Sequence, residues 1–206
     1  MTEAPPPTRR SIKTDWVDPL NMAQIVIPLS NGTIASVDKK VFVVGGFSVN
    51  HSQSINQVLE YDMAVRAWNL GPVFPSQVSE AVAMSARGSI FVFGGWDDSK
   101  LLNTLHKLTP TDEKPQWHLV TSAQSPSPRR GHAMATDGKS FLYLFGGFDG
   151  SRRLRDLWRF DIDKQLWALL DISGIAPTPR DNATLAVDVT RNRLILFFDV
   201  AGAFTA

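Results

Sequence analysis

The sequence predicts an all-β chain built from about three complete four-stranded units and two strands of a fourth. Three markers carry that prediction, and all recur at one interval. Paired glycines begin at Gly45, Gly94 and Gly146, separations of 49 and 52. Tryptophans stand at Trp16, Trp68, Trp117 and Trp167, separated by 52, 49 and 50. A small residue precedes each apolar run at Ala35, Ala83, Ala135 and Ala186. Internal periods of this size belong to propellers or arrays, because no single unit can bury its own apolar surface.

Residues 1–14 are polar and Pro-rich and are expected to form a flexible leader, with one β domain over 15–206. Trp16 keeps the tryptophan period, so Asp15 to Val17 is expected to form the outer strand of a unit whose other strands lie elsewhere. The first complete unit spans about 30–70, with strands near Ser30 to Val37, Val41 to Gly46, Val58 to Asp62 and Ala67 to Leu70. The second spans about 78–120 and the third about 131–171. Val41–Val44, Ile90–Phe93, Leu142–Phe145 and Leu194–Phe197 are continuous apolar runs bounded by turn residues, as suits strands covered on both faces. Leu59-Glu60-Tyr61-Asp62 and Leu157-Trp158-Arg159-Phe160-Asp161 are half polar and fit strands nearer the rim. Prolines gather in the connections between units, where they interrupt no strand ladder. The fourth unit begins at 182–198 and then breaks: Phe198-Asp199 stands where paired glycines are expected, and no third strand is recognisable.

Four apolar residues before Gly-Gly, an aromatic-Asp six residues before Trp, and Pro-Arg before the next strand together resemble the kelch repeat. The resemblance covers about residues 30 to 198; it is sharp in the first and third units and weaker in the second, where Leu108-Thr109 replaces aromatic-Asp. It implies a kelch-type β-propeller with one four-stranded blade per repeat, here a partial one. Kelch propellers usually have six or seven blades. The shortfall implies either further blades outside this sequence or closure of a small ring through Trp16. An open arc exposes apolar blade faces, so an oligomer is the expectation for the isolated chain.

The chain has 206 residues, is 43% hydrophobic and carries a formal charge of +1. Near-neutral charge gives no general attraction to nucleic acid or membrane surfaces. With no cysteine, disulfides and thiolate metal sites are excluded. The sequence has neither a secretion-signal core nor an 18-residue apolar run, and the expected compartment is the cytoplasm or the nucleus. Two short glycosylation-type tripeptides, Asn31-Gly32-Thr33 and Asn182-Ala183-Thr184, are common by chance.

No cofactor or metal is expected. His51, His106, His118 and His132 include no pair at metal-ligand spacing. Blade alignment puts His106 and His118 within strands, His132 at the start of an inner strand and His51 in a loop. Asp137-Gly138-Lys139-Ser140 ends like a phosphate loop, but Ala133 replaces the required glycine and Asp-Gly fits a hairpin turn. An iron motif, Glu-x-x-x-Asp-x-x-x-His, known in some plant kelch enzymes is absent.

Function is therefore expected on the surface. Connections between second and third strands leave a blade on the same side as the inter-blade linkers, and loops on rigid scaffolds carry binding. Kelch proteins typically bind partners there. The candidates are Asn50, His51, Trp96, Asp97, Arg130, Arg152, Arg153, Arg155 and Arg180, with Asp98, Lys100 and Arg129 beside them. Trp flanked by Arg has the composition of an interface hot spot, and the arginines point to an acidic protein or peptide partner. Arg130 and Arg180 alternatively serve to tie down inter-blade turns. The expected role is a protein-interaction scaffold or adaptor; the alternative is a kelch-fold oxidase or lyase whose active site lies outside this sequence.

Overall fold

The computed structural model describes residues 29–173 and 176–197. The leader at 1–14, the strand expected around Trp16 and the Phe198-Asp199 break lie outside those residues. All regular structure among the described residues is β.

A two-residue strand, β1 (Leu29–Ser30), opens the described chain. Blade one follows as β2 (Thr33–Val37) and β3 (Lys40–Val44). Next come the short β4 (Phe47–Ser48) and β5 (Gln53–Ser54), and the blade ends with β6 (Val58–Asp62) and β7 (Ala67–Leu70). Its sheet runs β2-β3-β6-β7, antiparallel throughout. β1, β4 and β5 form a separate three-stranded patch above it. Blade two contains β8 (Val82–Ala86), β9 (Ser89–Phe93), β10 (Leu105–Leu108) and β11 (His118–Val120). Blade three contains β12 (Ala133–Thr136), β13 (Phe141–Phe145), β14 (Leu157–Asp161) and β15 (Leu166–Leu170), and blade four β16 (Thr184–Asp188) and β17 (Arg193–Phe197). The fold is thus the partial propeller that the repeats predict. Inner strands of successive blades lie side by side: β2 by β8, β8 by β12, and β12 by β16.

Each seam between blades is an apolar cluster. Phe42, Val44 and Val58 meet Ile90, Val92 and Leu108 between blades one and two. Phe91 and Phe93 meet Leu142, Leu144, Phe160 and Trp167 at the next seam, and Phe145 meets Leu185 at the third. β9 is buried along its whole length because its two faces enter two seams. Burial in β17 alternates instead, with Ile195 and Phe197 exposed. In blade four, one face of the continuous apolar run is therefore solvent-facing among the described residues. On blade one Ile34 and Leu70 are exposed in the same way.

The repeat signature has a local cause at each position. Asp62 and Asp161 accept backbone N–H groups two and three residues later and so cap the hairpin into the fourth strand. The aromatic before each Asp lies across from the Trp: Tyr61 pairs with Trp68 and Phe160 with Trp167, ring centroids 5.2 and 5.1 Å apart. Blade two, lacking the aromatic-Asp, turns differently. Its Trp117 precedes β11, stacks edge-on against Phe74 and donates Nε1 to the Pro72 carbonyl of the preceding linker.

The paired glycines make room chiefly for backbone. A Cβ on Gly45, Gly94 or Gly146 would lie 2.3, 2.7 or 2.5 Å from the carbonyl oxygen of Val78, Arg129 or Arg180, in the linker that enters the next blade. The glycine after each donates its N–H to that same carbonyl. All three first glycines also have φ between 61° and 65°, so both space and backbone conformation demand glycine.

One further repeat is visible only in three dimensions. Asn31, Glu80, Gly131 and Asn182 stand just ahead of the four inner strands, all left-handed, with φ of 56°, 53°, 58° and 53°. The N–H of each of the last three donates to the carbonyl of its predecessor, at 2.9, 3.3 and 2.6 Å. These bonds tie the blades together near the line where the inner strands converge.

Candidate functional site

The linkers and the loops after the second strands meet on one side of the blades, and each loop touches the first residue of the following blade. The equivalent loop positions are Ser54, Leu101 and Arg153, each paired back to the residue after Gly-Gly: Phe47, Trp96 and Phe148. Those residues pair in turn with Ser30, Ser79 and Arg130. Ser54 Oγ donates to Asp98 Oδ1 at 2.6 Å and lies within hydrogen-bond distance, 2.9 Å, of Ser79 Oγ across the first seam. Arg153 Nε donates to Asp181 at 2.6 Å across the third.

The middle seam differs, and there a groove of about 390 Å³ opens, lined by Trp96, Leu101, Arg130, Phe148 and Gly150. Four isolated β-bridges, two on each side, hold its aromatic walls: Ser79–Trp96–Leu101 on one side and Arg130–Phe148–Arg153 on the other. Arg130 lies over the Phe148 ring, 5.7 Å from guanidinium carbon to centroid, while its Nη1 donates to Glu80 at 2.6 Å. The Arg130 side chain stays 39% exposed, so it presents a positioned cation to solvent.

Of the residues expected at a binding face, Trp96 and Arg130 come together in this groove. Asp97 lies beside it, but its carboxylate accepts the backbone N–H groups of Ser99 and Lys100 and the Ser99 hydroxyl. Burial would raise the Asp97 pKa, and these bonds outweigh it and hold it below the usual value. Asn50 and His51 are exposed in the blade-one turn, where Ser48 Oγ and His51 Nδ1 lie 2.9 Å apart. Arg152 and Arg155 are exposed on the blade-three loop; Arg152 is 3.6 Å from Asp149. Arg153 is spent on the seam to Asp181.

Arg180 is half-buried in the linker to blade four, and its true counterpart is Arg129, not Arg130. Both accept the N–H of a second glycine and both donate backbone N–H to a loop carbonyl, Leu102 for Arg129 and Leu154 for Arg180. The Arg129 guanidinium is buried and donates to both carboxylate oxygens of Asp156 at 2.8 Å and to the Gly146 carbonyl at 2.9 Å. Trp158 Nε1 also donates to Asp156, at 2.6 Å. Burial alone would raise the Asp156 pKa; hydrogen bonds and charge from Arg129 outweigh it, and the carboxyl is held below its ordinary value. Arg129 thus belongs to the scaffold, a tie of the kind proposed for Arg130 from sequence.

Leu101 and Phe148 complete the groove but do not stand out in sequence, because an apolar loop residue looks like core. The signal available was the period of aromatics just after Gly-Gly: Phe47, Trp96 and Phe148.

His132 is also buried, against Phe93 and beneath Gly94, and neither ring nitrogen has a hydrogen-bond partner. Burial first, and then the nearby Arg129 charge, push its pKa down to about 3, so the ring is neutral. Among the described residues no three His, Asp or Glu side chains gather as a metal site, and no helix is long and apolar enough to cross a membrane.

Comparison with known proteins bears on the whole repeat rather than on the groove. The KLHDC2/KLHL20/DRC7 Kelch-repeats domain matches residues 12–198. Acyl-CoA-binding domain-containing protein 4 of Arabidopsis thaliana is 30% identical over 161 residues, 76% of this chain and 24% of that protein. Serine/threonine-protein phosphatase BSL2 of Arabidopsis thaliana is 33% identical over 131 residues, 60% of this chain and 13% of its own. The Rab9 effector protein with kelch motifs of Mus musculus is 30% identical over 159 residues, 74% of this chain and 41% of that protein. The chain spans less than half the length of each of these three. Among solved structures, YjhT superposes with a TM-score of 0.64 at 18% identity, covering 79% of this chain and 57% of that one, a likeness of fold. A family match running through all four blades, on a structure whose four-stranded blades repeat the same paired glycines and strand order, makes this chain a member of the kelch-repeat family.

Proposed function

We propose that the chain is a protein-interaction scaffold that holds a partner protein or peptide on its loop face, across the seam between blades two and three. The carrying observation is the groove itself, where a Trp, a Phe and a positioned Arg line one opening on a framework of β-bridges. Trp and Arg dominate binding energy where they sit in packed, partly desolvated pockets. Short bridges at the loop bases limit the ordering that binding would demand.

Arg152 and Arg155, exposed on the same loop as Gly150, extend a positive rim and favour an acidic partner. Among the relatives, one is named an effector, one a phosphatase and one for an acyl-CoA-binding domain, so chains of different overall activity carry this repeat. What they share with this chain is the repeat, and a binding platform is a role that a repeat can supply on its own.

The test compares the parent with a variant carrying Trp96→Ala, Arg152→Ser and Arg155→Ser. Both are immobilised in cell lysate at low and high salt, and captured proteins are quantified by mass spectrometry. Partners of the groove fall away from the variant, and their capture by the parent weakens with salt as the charged contribution is screened. Identical capture by both proteins, with thermal midpoints matched, removes the groove from consideration.

A further inference from the structure

Four Ser/Thr-Pro pairs occur in the chain: Thr109-Pro110, Ser125-Pro126, Ser127-Pro128 and Thr178-Pro179. The fold sorts them. Pro110 and Pro126 are buried. The Thr109 hydroxyl is 3.0 Å from Ser89 Oγ, and Ser125 Oγ donates to the Asn103 carbonyl. Ser127-Pro128 and Thr178-Pro179 are exposed. Both sit in inter-blade linkers without regular structure, and the following proline biases Ser127 and Thr178 toward extended backbone.

These two pairs belong to one repeated local motif, Ser/Thr-Pro-Arg. Arg129 donates Nε to the Ser127 carbonyl at 3.0 Å and Nη2 to Ser127 Oγ at 2.9 Å. Arg180 donates Nε to the Thr178 carbonyl at 3.1 Å and Nη2 to Thr178 Oγ1 at 2.9 Å. In each case a guanidinium already lies within hydrogen-bond reach of the hydroxyl. The two arginines differ in what else they hold. Arg129 is buried and its charge is taken by Asp156, so a phosphate on Ser127 would be set beside that carboxylate. Arg180 forms no ion pair among the described residues, and neighbouring Asp181 is engaged by Arg153.

We propose that Thr178 is a proline-directed phosphorylation site whose phosphate is captured by Arg180, and that Ser127, its counterpart one blade earlier, is not used. In the step, the γ-phosphoryl group of ATP passes to Thr178 Oγ1. A new bond from phosphorus to Oγ1 replaces the bond to ADP, and the hydroxyl proton goes to the kinase's base. The product brings about two negative charges and three acceptor oxygens to a guanidinium that is already aligned. A hydrogen bond from the guanidinium to a neutral hydroxyl becomes an ion pair with phosphate oxygens, which is shorter and stronger. Modification would then fasten the linker that enters blade four. The site is separate from the groove, so its test is independent of that reading.

The experiment uses the 206-residue chain, ATP and a proline-directed kinase of the cyclin-dependent class, with sites assigned by tandem mass spectrometry. Phosphate is expected at Thr178, at least tenfold above Ser127, and Thr178→Ala removes it. ³¹P NMR titration then reads the second ionisation of the phosphothreonine, ordinarily near pH 6. Capture by Arg180 lowers it by about half a pH unit, an about threefold bias toward the dianion. Arg180→Gln, or unfolding the phosphorylated parent in urea, should return the titration to that of the unfolded chain. Absence of phosphate at Thr178 in the folded chain, comparable phosphate at Ser127, or a titration identical in folded and unfolded parent overturns the proposal.

Discussion

Arg129 and Arg180 occupy the same place in successive linkers and make the same backbone bonds, yet only one is built into the interior. Around Arg129 the residue just ahead of β14 supplies Asp156, the third glycine pair brings up the Gly146 carbonyl, and the guanidinium is sealed. Arg180 faces a blade of two described strands and remains half-exposed, bonded to its own Thr178. A repeat therefore transmits local geometry faithfully, while the energetic worth of a residue depends on how much of the following blade surrounds it.

The sharpest way to break that comparison is to remove each guanidinium in turn. Arg129→Met should cost about 3–5 kcal/mol, since it leaves a partly buried carboxylate without its charge partner. Arg180→Met should stay within about 0.5 kcal/mol, as surface changes usually do. Urea unfolding of both variants checks this, and equal losses would mean that the two linkers carry the same load.

A second contrast is between glycines. Gly146→Ala places a methyl 2.5 Å from the Arg180 carbonyl oxygen, at φ +63°. Overpacking and left-handed strain together should cost about 3 kcal/mol. Gly138 has φ +73° but nothing within 4 Å, so Gly138→Ala carries the strain alone, about 1 kcal/mol. Thermal denaturation separates the two; similar losses would show that conformation, rather than the crossing linker, demands the paired glycine.

Asp156 adds a dependence on pH. Its pKa is lowered in the folded chain, so its stabilisation is present above the unfolded value of about 4 and is lost as pH falls through the folded value. The urea midpoint should therefore decline between neutral pH and about pH 3. Asp156→Asn should flatten that decline although it lowers the midpoint at pH 7. An unchanged slope would transfer the acid sensitivity to other carboxylates. The smallest effect concerns Arg152 and Arg155: changing both to Ser should move the thermal midpoint by less than the equivalent of about 0.5 kcal/mol. A larger shift would mean that they support the fold.

Period and strand order were legible in the sequence because several of the markers act within the blade to which they belong. Asp62 and Asp161 cap their own hairpins, and Tyr61 and Phe160 meet Trp68 and Trp167 within one sheet. What crosses between blades was harder to read. The doublet Arg129-Arg130 left a one-residue ambiguity, resolved only by the bond from Gly95 N–H to the Arg129 carbonyl. Trp96 and Arg130 stood out by composition, but their meeting in one groove depends on the blade-two loop touching the first residue of blade three. Asn50 and His51 sit on an equivalent loop one seam away, where Ser54, Ser79 and Asp98 close the space with hydrogen bonds. Equivalent positions thus gave a groove at one seam and a polar clasp at another, and no residue type announced the difference.

The left-handed series Asn31, Glu80, Gly131 and Asn182 has a polarity: the donor always lies on the later blade and the acceptor on the earlier one. On a ribosome, the earlier blade emerges first and presents its carbonyl before the N–H that will use it has been made. For this series each new blade then finds its acceptor already in place, so these bonds can form in the direction of synthesis.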